Sequence, residues 1–385
     1  MSEIKVNSIK GVGASAAAIT VNNTDGTCTA NITNRTNKNL IINGDFQLAQ
    51  RNVSSTANGY GSVDRFYVGN SGVDENPTHA QVDVASGTTP YTLGFRKALK
   101  ITNGNQTSGA GSSDRIIVFQ NLEAQDIANS GWNYTSTSSF ITFSFWIKSS
   151  VAQSFQGVLT TDDGTKQIYP FETGSLSADT WTKITKIVPG NSNLQFDNNA
   201  DNGMEMNIAP FWGTAFTDSS VSLNACNAYA SATRTPDNTS TWYTTNDATF
   251  EITGVQLEVG SVATDFEHRS FGQELALCER YCLTLCTGQQ YIGTCMLYNS
   301  LTHTAAMVWK TTMRAAPTMV ANSGTDYYIT YRNGGQSTYN SLTGTSLVSA
   351  NGGAVYTSNG SGTAGHAGAI AGANASTLVL LTAEL

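Results

Sequence analysis

The residues with the clearest chemical potential are four cysteines close in sequence, Cys278, Cys282, Cys286 and Cys295. Four thiolates can close a tetrahedral zinc site. Cys278 and Cys282 are four apart and share one face of a helix, but Cys286 points away from both. Structural zinc sites favour close pairs presented on turns, and helical pairs at this spacing have poor vectors for a disulfide. Buried, reduced thiols are the simpler reading. Glycan hydrolysis would need two carboxylates facing each other across a bond. The acidic pairs Asp74-Glu75 and Asp162-Asp163 are chain neighbours in turn-like settings, where adjacent side chains diverge. His79, His268, His303 and His366 are scattered, and no nucleophile elbow accompanies them. No catalytic residue is assigned, and the chain reads as a non-enzyme.

Non-covalent chemistry is better represented. Sugars present C–H faces that stack on Trp and Tyr, while amides and hydroxyls bond their rims. Trp146 falls on the less apolar face of its strand. Trp132, Tyr134, Trp242 and Tyr243 sit near turns rich in Asn and Thr. These five are the glycan-binding candidates, and core packing accounts for half or more of the aromatic set.

The elements that position them are strands. Only 12% of the 385 residues are charged, and Asn, Ser, Thr and 36 glycines supply the polarity. Such a composition suits short strands joined by turns. Phe140–Lys148 alternates cleanly, with Ile141, Phe143, Phe145 and Ile147 on the core face. Further strands are expected over 39–46, 98–101, 115–119, 181–188, 204–211 and 250–259, with a β-bulge at Gly254. Ser270 and Gln273 have capping-box spacing and open a helix. Phe271, Leu275, Cys278, Cys282 and Leu285 then form one helical seam, docking within the chain or along a trimer axis. Strands resume over 291–297, 305–309 and 327–331, and the chain closes on the apolar run Leu378–Leu381. Residues 333–376 are small and polar, suited either to packing round an axis or to display loops.

The net charge of −8 argues against a nucleic-acid partner. No apolar run is long enough for membrane insertion, and MSEIKVNSIKG lacks a secretory signal's apolar core. Synthesis and folding in a cytoplasm are the expectation. The length suggests two or three domains.

The stretch TFEITGVQLEVGSVATDFEHRSFGQELALCERY, from Thr249 to Tyr281, resembles a junction in tail-fibre and related virion proteins of tailed bacteriophages. There it joins a β-sandwich to a distal β domain. NLIINGDFQLAQRN, SVDRF and QLEVG resemble the phage sandwich module and are similar to the ends of jelly-roll carbohydrate-binding modules. The likeness covers roughly residues 40–285. The opening residues resemble marine-phage virion proteins, and TMRAAPT (Thr312 to Thr318) resembles an element of fibre C-terminal domains.

The resemblance implies a mainly β chain: an attachment arm (1–39), a jelly-roll β-sandwich (40–268), a linker helix (269–288) and a smaller β domain (289–385). It implies a homotrimeric virion tail protein, made in the host cytoplasm and released by lysis. The arm would bind other tail proteins, and the distal parts a host-surface glycan or protein. A capsid or tail decoration protein is the alternative, and a polysaccharide hydrolase a third reading. Asp45 and Glu258 fall where jelly-roll modules hold a structural Ca²⁺.

Overall fold

The computed structural model describes residues 8–9, 12, 19–21, 28–30 and 37–385. The attachment arm expected over 1–39 lies mostly outside them. Within that region Ser8–Ile9, Ile19–Val21 and Cys28–Ala30 pair as an antiparallel ribbon.

The chain is mainly β. Two six-stranded antiparallel sheets form a sandwich. One orders its strands as 227–228, 167–172, 156–161, 202–212, 115–123 and 67–71. The other runs 182–189, 140–149, 249–259, 97–102, 78–83 and 54–55. Alternation decides which side chains enter the space between them. Ile141, Phe143, Phe145 and Ile147 are fully buried there, opposed by Met204, Met206, Ile208 and Phe171 from the facing sheet. Aromatic contacts such as Phe143 on Phe171, with ring centroids 5.7 Å apart, tie the layers together.

The segment Asn39–Phe46 is not the strand its apolar run suggests. Its asparagines replace a ladder with side-chain bonds. Asn39 Oδ1 accepts from the Ile41 and Leu257 amides, each at 3.0 Å, and its Nδ2 donates to Val255 O. Asn43 Nδ2 donates to Leu48 O and Asp64 O. Asn43 and Phe46 take positive φ values of 59° and 57°, which break any extended run. Gly44 sits so tightly on the last sandwich strand that a Cβ would lie 2.1 Å from Val255 O.

The capping box forms as expected at Ser270, but its helix ends at Glu279. Cys282 and Leu285 belong to the strand Cys282–Thr287, so the expected seam does not exist. Phe271 is 63% exposed, Leu275 is half-buried, and the buried helix residues are Glu274, Cys278 and Glu279. The helix docks on its own chain through charge: the Glu274 carboxylate takes the Asn43 amide and an Arg269 guanidinium.

Two more antiparallel sheets complete the chain. A three-stranded one sets Leu378–Thr382 between Cys282–Thr287 and Thr318–Ala321. A seven-stranded one runs 335–339, 328–332, 367–372, 291–297, 303–308, 352–357 and 344–349. The small-residue region 333–376 therefore supplies four of those strands.

A buried polar clamp joins these sheets to the sandwich. Arg280 makes a bidentate pair with the fully buried Glu123, at 2.6 and 2.7 Å, and Tyr281 OH donates to the same carboxylate. Arg65 and Arg51 both reach Glu384. Arg314 donates to the carbonyls of Ala383 and Glu384 on one side and Ala200 on the other.

Candidate functional site

The outward face of the sheet containing Phe140–Ser149 carries a second, smaller apolar cluster. Phe95, Val84 and Ala98 are buried in it, with Tyr91, Trp146, Trp181 and Phe266 partly buried around them. Strand alternation sends Trp146 here, because its neighbours Phe145 and Ile147 fill the core. Cross-strand register sets Lys183 on one side of Trp146 and Thr253 on the other.

The expected bulge shapes this face. Pairing slips between Thr253 and Gln256, with Gly254 at a φ of +62°. A Cβ on Gly254 would lie 2.6 Å from the Phe95 ring, so the missing side chain is what admits Phe95.

Beyond the strand the chain folds back over the sheet. Glu258 accepts from the Thr264 amide at 2.8 Å and its hydroxyl at 2.6 Å, and Gln256 Oε1 accepts from the Glu267 amide at 2.9 Å. These bonds pin Phe266 edge-on to Phe95, at 5.0 Å between centroids. His268 packs on both rings and its Nε2 lies 2.9 Å from Leu93 O.

The product is an open pocket of about 240 Å³, room for roughly eight waters at liquid density. Phe95, Trp146 and Phe266 supply aromatic lining, and Ser144, Lys183 and Asp265 supply polar groups. Lys183 and Asp265 carry opposite charges in one pocket, yet no ion pair joins them. A cationic donor, an anionic acceptor and a hydroxyl beside aromatic rings can together hold a ring bearing neighbouring hydroxyls.

Of the five aromatic candidates, only Trp146 is placed in this pocket. Trp242 is fully buried, its Nε1 donating to Thr249 O at 3.0 Å and its ring edge-on to Phe155 and Phe250. Tyr243 is equally buried, stacked on Phe211 at 3.9 Å and donating to Asp114 at 2.9 Å. Trp132 is 3% exposed and packs on Phe196, with Tyr134 half-buried edge-on to the same ring. The physical reason is shared: polar turns cross the open ends of a sandwich, and the aromatics within them plug the core.

The calcium pair fares no better. Glu258 is buried and committed to Thr264 and Gln256, with Lys38 at 3.9 Å. Burial, then the charge of Glu274, raises Asp45 to about 6. Among the described residues no group of three or more His, Cys, Asp or Glu side chains could hold a metal ion. The residues present do not fit calcium.

Cys278, Cys282, Cys286 and Cys295 are free thiols, all buried. Burial pushes the Cys282 thiol up to about 12. The acidic pairs brace loops: Asp74 accepts from Ser108 and Thr107, Glu75 from the Asn105 amide, Asp162 from Lys166 and Asn202, and Asp163 from the Asp197 amide. Among the described residues no helix is long and apolar enough to cross a membrane.

Phe95, Lys183, Asp265, Phe266 and His268 were not among the sequence candidates. The alternation that turns Trp146 outward could have pointed to its cross-strand neighbour Lys183. Nothing local marks Phe266 as folding back.

No family model matches the chain, and no curated protein matches its sequence. Similar solved structures include an enzymatically active domain of tailspike protein 4 from bacteriophage CBA120 (10% identity, TM-score 0.30, 58% of this chain, 21% of that one). Another is the CBM22-1–GH10 part of xylanase 10B from Clostridium thermocellum, complexed with xylohexaose (10%, 0.26, 58%, 30%). A third is the N-terminal cellulose-binding domain of β-1,4-glucanase C from Cellulomonas fimi (10%, 0.26, 56%, 98%). The chain thus spans about a fifth of the tailspike domain's length and under a third of the xylanase's. All three scores lie below 0.5, so the reading of the site rests on its own residues.

Proposed function

We propose that this protein recognises a carbohydrate without altering it, and that the Trp146 pocket holds one sugar ring. The observation that carries the reading is the pocket's composition. Trp146, Phe95 and Phe266 offer apolar surface to a ring's C–H face, and Lys183 and Asp265, not paired with each other, offer a donor and an acceptor to its hydroxyls. No step of bond making or breaking is assigned, because the acidic pairs are spent on loop bonds.

The sequence resemblance supplies the setting we propose for this binding. It is a tailed-phage virion protein, a tail fibre or tip, carrying several copies of the site to a host surface. Residues 1–39 would attach it to other tail proteins. Assembly into a homotrimer would raise weak single-site binding through effective concentration.

A glycan array on the intact chain, followed by calorimetry on its best ligand, tests the reading. Trp146→Ala should weaken binding about 10- to 100-fold, the scale of one lost stacking contact with its buried area. Asp265→Asn should weaken it less. An array without ligands, or a ligand held equally by Trp146→Ala, would end the proposal.

A further inference from the structure

The seven-stranded sheet has one face turned to the core and an opposite face that carries exposed apolar side chains. Cys295, Leu297, Ala305, Tyr328, Tyr339, Val355 and Ile370 fill the inner side. Alternation puts Met296, Val308 and Tyr331 on the other, where they are 55%, 85% and 45% exposed. Tyr291, 69% exposed, meets Tyr331 at 6.0 Å across the strand Ala367–Gly372, whose alanines and glycines leave room for both rings.

This face is also without charge. The seven strands contain no Asp, Glu or Lys and one Arg, Arg332, whose Nε donates to Ser361 O. Leu347, at the bulge of the edge strand, is 95% exposed and takes a φ of +49°, a conformation leucine rarely adopts. Large exposed apolar side chains on an uncharged sheet mark a surface built to be covered.

We infer that this face packs against a second copy of the chain. Charge selects that occupant. The protein carries −8 overall, so copies repel one another over most orientations, and a neutral face is where contact costs least. Nothing on the face would complement an acidic or a basic partner. Size agrees as well: seven strands at ~4.8 Å spacing and ~3.3 Å per residue give a plan area of about 650 Å². Side-chain relief raises the accessible area toward the ~800 Å² per partner of a stable interface. The inference deepens the self-assembly in the function proposed above by naming its surface, and it stands or falls separately from sugar binding.

Sedimentation velocity on the intact chain at micromolar concentration is the test. The expected result is an integral multiple of the chain mass. Met296→Glu with Val308→Glu should bring it to a single chain with unchanged far-UV circular dichroism and unchanged sugar binding at the Trp146 pocket. If the double variant misfolds, Tyr331→Lys serves the same purpose. A single-chain mass for the unmodified protein would overturn the inference. So would an assembly that survives these substitutions, or a neutral polysaccharide bound by single chains and lost on Tyr291→Ala.

Discussion

The guanidinium of Arg65 lies over the ring of Tyr281, 3.4 Å from its centroid, while ion-pairing with Glu384. Arg65 is 1% exposed and belongs to the sandwich, whereas its two partners lie C-terminal to the sandwich strands. Burial alone would disfavour its charge, and Glu384 restores it. This ion pair is thus one of several that join the two halves of the chain.

Breaking that pair from one side should be costly. Glu384→Gln leaves Arg65 and Arg51 without their shared counter-charge and should destabilise the protein by about 3–5 kcal/mol. Arg65→Met should cost less, because Arg51 still reaches the carboxylate at 3.0 Å. Urea titration with separate probes for the two regions checks this, and loss of coincidence between the probes would show that they uncouple.

Gly254→Ala should harm both stability and the pocket. The substitution is strained at a positive φ and drives a methyl toward Phe95, a cost of about 1–3 kcal/mol. Thermal melts read the first effect. Sugar affinity at a temperature where the variant remains folded reads the second, because Phe95 lines the site.

Asp45 sets a dependence on pH. Its carboxyl is raised from 3.8 to about 6 by burial and by Glu274, so between those values the native state keeps a proton that the unfolded chain has released. Stability therefore falls as pH rises through that window, by about 3 kcal/mol across its whole width. Asp45→Asn should melt higher than the unmodified protein above pH 6 and nearly equal to it below pH 4. A constant difference at all pH values would contradict this origin.

His303 acts with the opposite sign. Burial, with help from Arg332, lowers its affinity for a proton below the ordinary 6.5. Its Nδ1 lies 2.9 Å from Thr330 Oγ1, and its Nε2 is buried without a partner. Below its ordinary range the unfolded chain gains a proton that the native state refuses, so stability drops as pH falls. His303→Gln should flatten the acid limb of a pH–melting curve.

The sandwich was largely legible because its strands are long and alternate. Phe140–Ser149 and Thr249–Val259 were readable from period two, and the Gly254 bulge from a phase change. The helix stop was not, since Cys278, Cys282 and Leu285 keep a helical spacing that only the pairing of Cys282–Thr287 with Leu378–Thr382 overrides. Asn39–Phe46 misled for a related reason: asparagine side chains imitate a ladder without extending the backbone. The pocket was legible only at Trp146, because its other walls come from a return segment whose placement depends on Glu258 and Gln256. The turn aromatics gave no sign that they close the core.

The three-stranded sheet has its middle strand drawn from residues 378–382, while its outer strands lie at 282–287 and 318–321. Neither outer strand has a partner in that sheet until residues 378–382 arrive, the first of them 57 residues beyond 321 and 91 beyond 287. Its assembly must then be slow and late, since every contact closes a long loop. During that interval Leu283 and its neighbours are unpaired β edges, open to pairing with other nascent chains. High expression temperature should thus raise the insoluble fraction of this protein through the exposed edges of this sheet.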